Sequence, residues 1–182
     1  MMKRLRIVPL VFISLFIWNI EAEAQRRKKH DPQKAEQTLA EFEKVDPGFA
    51  KLAAEAYGYA IFPSIGKGAI GIGGAAGKGV VYRKGDVVGG VNMTQISFGF
   101  QFGGQAYSEI IFFENADAFN RFQENELQFA AQVSAVALKS GISADAKYTE
   151  GVAVFTMAKG GLMYEAAVGG QRFKFIPPNK MK

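Results

Sequence analysis

Residues 66–79 read GKGAIGIGGAAGKG, a spacing of glycine and lysine that invites a test for phosphate chemistry. A P-loop requires G-x-x-x-x-G-K followed by Ser or Thr, so that the lysine reaches phosphate oxygens and the hydroxyl holds magnesium. Gly77-Lys78 would need glycine at Ile72 and a hydroxyl at Gly79, and Gly66-Lys67 would need glycine at Ile61. Neither lysine completes the motif. Gly71-Ile72-Gly73-Gly74-Ala75-Ala76 does match G-x-G-x-x-A. A dinucleotide site also needs a helix at once, whose N-terminus faces the pyrophosphate. Here Gly77-Lys78-Gly79-Val80-Val81-Tyr82 follows, which reads as turn and strand. Glycines Gly66 and Gly68, and then Gly71 and Gly73, fall two apart, which puts each pair on one face of a strand. Gly71, Gly73, Gly74, Gly77 and Gly79 are therefore expected where another chain segment or a ligand comes close.

The remaining catalytic patterns fail for want of partners. Ser64-Ile65-Gly66-Lys67 spells S-x-x-K, but that acylation chemistry needs a helix with S-D-N and K-T-G motifs, which this chain lacks. His30 is the single histidine and stands in a basic lead, so no histidine-centred triad or paired-histidine zinc site is expected in the domain. There is no cysteine, hence no thiolate nucleophile or ligand. Glu109, Glu114, Glu165, Asp117 and Asp145 have no spacing that pairs two carboxylates. Glu109 lies between apolar residues and is expected as a half-buried group in a salt bridge or on a solvated face. No catalytic residue, metal or cofactor is expected.

What remains is positive charge. The chain has 182 residues and a formal net charge of +5. Lys67, Lys78, Arg83 and Lys84 crowd the glycine-rich turns, and Arg26, Arg27, Lys28 and Lys29 form a short basic run. Such a balance favours anionic partners.

The elements that would carry these residues change character along the chain. Asp31-Pro32 and Asp46-Pro47 read as helix starts, an N-cap before a proline. Ala35, Leu39 and Phe42 make the apolar stripe of the first helix; Phe49, Leu52, Ala53 and Ala56 make that of the second. Glu36, Glu41 and Glu43 favour packing on the domain over lying on a membrane. From Tyr59 on, period-two stretches dominate: a strand Tyr59–Phe62 stopped by Pro63, a hairpin at Lys84-Gly85-Asp86, and a strand with Ile96, Phe98, Phe100 and Phe102 on one face. Tyr107–Phe113 is another strand, and Asn115 caps a helix holding Ala118, Phe119 and Phe122. Leu127–Leu138 reads as a strand by alternation, although its alanines permit a helix. Val152–Met157 and Leu162–Val168 flank a turn at Lys159-Gly160-Gly161; Arg172–Phe175 alternates again, and Pro177-Pro178 ends order. The pattern predicts a single α+β domain: a glycine-rich, mostly antiparallel, curved sheet packed with a few short helices.

The ends bound the domain. A basic head (Lys3, Arg4, Arg6), an apolar run Ile7–Ile20 and the A-x-A ending at Ala24 read as a secretory signal peptide over residues 1–24. Cleavage removes 24 of 182 residues, with three basic and two acidic side chains, and leaves 158 residues at net +4. The expected order is signal 1–24, mobile basic lead 25–34, domain 35–176 and basic tail 177–182. An exported address, periplasmic or secreted and peripheral to a membrane, follows, and nucleic acid is not an expected partner.

Several stretches in order carry a family resemblance. They are Ala60-Ile61-Phe62-Pro63, GIGGAAGKGVVY, Thr94–Gln105, Ser108-Glu109-Ile110-Ile111-Phe112-Phe113, Lys159-Gly160-Gly161-Leu162-Met163 and the Gly170-Gln171 turn. Together they resemble the SYLF-domain or Ysc84-like family in its bacterial exported form, over roughly residues 35–176. The resemblance implies a non-catalytic lipid-binding module, known in eukaryotic relatives for phosphoinositides and in some fungal relatives for actin filaments. Two departures keep those specificities from being carried over. The helix before the domain is acidic here, and Lys84–Gly90 stands in place of the W-S-x-P-like segment of eukaryotic members. The expectation is an envelope module that contacts anionic lipid headgroups through Lys67, Lys78, Arg83 and Lys84, with Arg26–Lys29 as an electrostatic tether. The alternative is a protein-interaction or structural module using the uncharged, aromatic-faced run 87–108, if that strand lies at a sheet edge.

Overall fold

The computed structural model describes residues 30–70, 72–98, 105–125, 136–137, 139–159 and 170–181. Two helices come first, α1 (Pro32–Val45) and α2 (Gly48–Glu55). Asp31 caps α1 by accepting from the backbone N–H of Gln33 and of Lys34. Four strands follow, β1 (Gly58–Ile70), β2 (Ile72–Arg83), β3 (Asp86–Phe98) and β4 (Gln105–Phe113). Then come α3 (Ala116–Gln123), capped by the Asn115 side chain, the short β5 (Val136–Ala137), a 3-10 turn Ile142–Asp145, β6 (Val152–Lys159) and β7 (Gln171–Ile176). The strands form one sheet in the order β5-β6-β4-β1-β2-β3-β7, antiparallel except for β5 beside β6. This is the α+β domain expected from the sequence.

The sheet is curled, and a hydrogen bond measures the curl. Gln171 on β7 donates through Nε2 to Oε2 of Glu109 on β4 at 3.0 Å. Strands β1, β2 and β3 lie between them. In a flat sheet those side chains would stand about 19 Å apart, four steps of about 4.8 Å. Phe62 of β1 and Phe173 of β7 likewise bring their rings to 6.1 Å. The face they share is therefore concave. It holds Phe62, Ile65, Val91, Met93, Tyr107 and Phe113, closed by Phe119 and Phe122 of α3. The convex face holds Tyr59, Ile61, Val80, Tyr82, Ile110 and Phe112, covered by Ala35 and Phe42 of α1 and Phe49 of α2. Both faces are buried, which is why β4 reads as a nearly continuous apolar run.

Four expectations change. Pro63 does not stop a strand: β1 runs on to Ile70 and is flanked on both sides. The pairing shifts register between Ile61 and Ser64 towards β2, and between Phe62 and Ile65 towards β4. A residue without an N–H is tolerated in a central strand at such an irregularity. The buried Ser108 hydroxyl donates to the Pro63 carbonyl at 2.9 Å and satisfies it there. His30, expected in a mobile lead, instead packs on Gly90, with Nε2 3.0 Å from Oδ1 of Asn92; Pro32–Lys34 already belong to α1. Order does not end at Pro177-Pro178, since a 3-10 turn Pro178–Lys180 follows and Met181 packs on the convex core. Strand β3 is no edge, because β2 and β7 pair with it on either side. Of the expected strand Leu127–Leu138, Val136–Ala137 is β5, and the rest lies outside the described residues together with Gly160–Val168 and Gly99–Phe102.

Candidate functional site

The predicted basic residues do not converge. Lys78 stands in mid-β2 on the convex side, in the same face as Val80 and Tyr82. Arg83 ends β2 and places its guanidinium 4.7 Å over the ring of Tyr57, which packs on the concave core. Lys84 and Gly85 form the two-residue turn between β2 and β3, with φ of +53° and +84°. That left-handed pair fits the hairpin twist and explains the glycine. Five residues of strand, about 17 Å, separate Lys78 from Arg83. Lys67 pairs with Ala75 and with Gln105 in the sheet register. Arg26–Lys29 and Gly71 lie outside the described residues.

Lys78 has other company. A groove of about 600 Å³ runs between α1 and the convex side of the sheet. Its helix wall carries Lys34, Gln37, Thr38 and Glu41, spaced as one face of α1. Its sheet side carries Ser64 of β1, Lys78 of β2, Ala106 of β4 and Lys159 of β6. Register explains the sheet side. Lys159 pairs with Ala106, Ala106 with Gly66, and Gly66 with Ala76, so small residues cross the sheet in a row. A Cβ added at Gly66 would meet nothing within 4 Å. Small residues on the sheet side leave room there, while three lysines stand on α1, β2 and β6 around the groove. Asp31 and Glu41 are its two carboxylates, leaving one net positive charge. Lys34 and Lys159 are exposed and Lys78 is half-buried.

The other predicted glycines divide. Gly79 does serve close approach: a Cβ there would come 2.7 Å from the Ile61 carbonyl oxygen and 2.8 Å from the Phe62 ring. Gly77 is hemmed in by Ile65 in the same way. Gly74 is exposed, with the Gln95 carbonyl at an ordinary 3.4 Å, and Gly73 pairs with Ala69 and Ser97.

His30 precedes Asp31, a lining residue of the groove. Its partner Asn92 pairs with Lys78 across β2 and β3. Burial lowers the imidazole's pKa; the Asn92 bond opposes this, and the Lys78 charge adds to it. The neutral ring is the form that fits.

Glu109 was expected half-buried, and it is fully buried on the concave face. Burial pushes its carboxyl from the ordinary 4.5 up to about 7, against a smaller lowering by the Gln171 bond. Its neighbours in the sheet register are Phe62 and Thr156, so no groove residue is among them. Sequence reasoning missed Lys34, Lys159 and Gln171 as site residues. The helix-face spacing of Lys34 with Thr38 and Glu41 is the one local signal that pointed to the groove.

Comparison with known proteins locates this chain. A family model named Ysc84, described as Las17-binding protein actin regulator, matches residues 94–175. That segment includes Glu109, Lys159 and Gln171, and it leaves out α1, β1 and β2. Beta cell expansion factor A of Aeromonas veronii is 30% identical over 128 residues, which cover 70% of this chain and 49% of that protein. The chain thus spans about half the length of the curated relative it matches. The family's description is one of binding to a partner, not of catalysis. Residues 94–175 thus carry the match to the Ysc84, or SYLF-domain, family.

Proposed function

We propose that this protein is an exported, non-catalytic module of the cell envelope that binds anionic lipid headgroups in the groove between α1 and the sheet. One observation carries the reading: lysines from three separate elements, Lys34, Lys78 and Lys159, line a groove whose sheet side includes Ala106, with Gly66 beside it in the register. A phosphate-bearing headgroup fits such a place, because it needs several ammonium groups and room for its own bulk. Each basic residue near an anionic surface contributes about 1 kcal/mol, so the three together bring on the order of 3 kcal/mol, roughly a hundredfold in affinity. Arg83, Lys84 and the lead Arg26–Lys29 would add electrostatic attraction without selectivity, and that part fades with salt.

Co-sedimentation of residues 25–182 with liposomes, anionic against zwitterionic, at low and high salt, tests the reading. Replacing Lys34, Lys78 and Lys159 by glutamine is expected to abolish preference for the anionic vesicles, whereas deleting Arg26–Lys29 is expected only to weaken binding at low salt. Full retention in the triple variant contradicts the groove. The family description favours a second reading, a protein partner. Strand β3 is paired on both edges along Gly90–Gln95, so over that stretch such a partner would meet the outer edge of β7 rather than β3 itself. Absence of binding to every liposome is the result that favours it.

A further inference from the structure

Among the described residues, Glu109, Gln171, Thr156, Tyr107 and Gln95 are polar side chains buried on the concave face. Glu109, Gln171 and Thr156 are each at most 1% exposed, and Tyr107 is 2% exposed. Gln171 Nε2 donates to Glu109 Oε2, yet Glu109 Oε1 and Gln171 Oε1 are both buried without a hydrogen-bond partner. Two unpartnered acceptors on one bonded pair are costly, since each forfeits its hydration. A single proton satisfies both.

We propose that Glu109 is the neutral acid in the folded protein and that its proton closes a two-bond clamp, Oε1–H of Glu109 donating to Oε1 of Gln171 while Nε2 of Gln171 donates to Oε2 of Glu109. A carboxylic acid and a primary amide have the complementary donors and acceptors for this pairing. Among the described residues the Thr156 hydroxyl is a neighbouring donor, and its Oγ1 is itself buried without a partner, so it bonds neither bare oxygen. From β1 Glu109 meets Phe62, from β6 Thr156 and from β7 Gln171; the titratable group facing it is Tyr107 of its own strand. Among the described residues a carboxylate beside the Tyr107 phenol gains no compensating cation, and it raises the pKa of that phenol in turn. Ionisation of Glu109 removes one of the two bonds and sets two bare oxygens against each other. The clamp spans β1, β2 and β3, so it braces the curl that holds the concave core together. The protein is therefore tightened by acid and loosened as Glu109 ionises. This device lies on the face opposite the lysine groove and stands whether or not that groove takes lipid.

The test is a side-chain NMR titration of the intact chain, labelled with carbon-13 in glutamate carboxyls and nitrogen-15 in glutamine amides. One carboxyl is expected to titrate near 7 rather than 4.5. The Gln171 side-chain amide is expected to move with the same midpoint, because it reads the loss of the clamp. Glu109→Gln removes that carboxyl signal and holds the amide still, since two amides make the same reciprocal pair without a proton. If Glu109→Gln does not fold, Gln171→Asn, which withdraws the amide by one methylene, supplies the assignment by displacing the midpoint. A Glu109 midpoint near 4.5, or a neutral midpoint with an unmoving Gln171 amide, overturns the proposal.

Discussion

Stability against pH should carry the signature of Glu109. The carboxyl's ordinary value is 4.5 and burial raises it to about 7 in the folded chain. Between those values the folded state holds a proton that the unfolded state has released. Stability therefore falls as pH rises through that interval, and it levels off once the folded carboxyl has ionised too. At about 1.4 kcal/mol per pH unit the interval corresponds to on the order of 3 kcal/mol. That is a large part of the roughly 5–15 kcal/mol that holds a domain folded. Glu109→Gln keeps size and hydrogen-bonding capacity but cannot ionise, so its stability should lack this slope. The assay is urea unfolding followed by far-UV circular dichroism, wild type and variant side by side, from acid to neutral pH. The expected result is similar stability near the acid end and a variant more stable by up to about 3 kcal/mol above neutrality. A difference between the two proteins that stays flat across the interval refutes the reasoning, because it would mean that Glu109 releases its proton equally in both states.

Two glycines should respond with opposite signs. Gly79→Ala drives a Cβ against the Ile61 carbonyl and the Phe62 ring and should cost about 1–3 kcal/mol, whereas Gly66→Ala meets open space and should gain about 0.5–1 kcal/mol from the unfolded chain, both read as urea midpoints. Asp46 precedes Pro47, the N-cap of α2; its buried carboxyl accepts from the Gly48 N–H at 3.0 Å and from the Ser143 N–H at 2.7 Å, so Asp46→Ala should cost about 1–3 kcal/mol in the same assay. The Ser143 N–H also holds the Asp46 carboxyl below its ordinary 3.8, so this contribution is present above that value and is lost as pH falls below it. Burial lowers the His30 pKa, so the unfolded chain takes up a proton that the folded chain resists, and the contribution of His30 to stability should fall as pH drops below the ordinary 6.5, read as urea midpoints.

Local features of this fold were legible in the residues. Asp31 and Asn115 cap their helices because an N-cap is decided within four residues. Lys84-Gly85 turns because its twist is a two-residue property. Pro63 misled for a related reason. The rule that proline ends a strand is local, and here a register shift and the Ser108 hydroxyl, 45 residues away, accommodate it. The groove was not legible, because Lys34, Lys78 and Lys159 become neighbours only through the strand order β6-β4-β1-β2 and the seat of α1 upon it. The clamp depends on still more. Glu109 and Gln171 meet only because the whole sheet curls, and curvature is a sum over strands that no single stretch spells out.

The central claim is that a shaped groove, and not positive charge alone, takes the headgroup. Gly66→Leu places a bulky side chain in the open space beside Ala106, a lining residue of that groove, without altering any charge. The measurement is the equilibrium affinity of wild type and Gly66→Leu for vesicles of anionic lipid at fixed salt, with folding verified by circular dichroism. Loss of at least about tenfold, on the order of 1.4 kcal/mol, is the predicted result. An unchanged affinity in a folded Gly66→Leu protein contradicts the account and reduces the interaction to diffuse electrostatics.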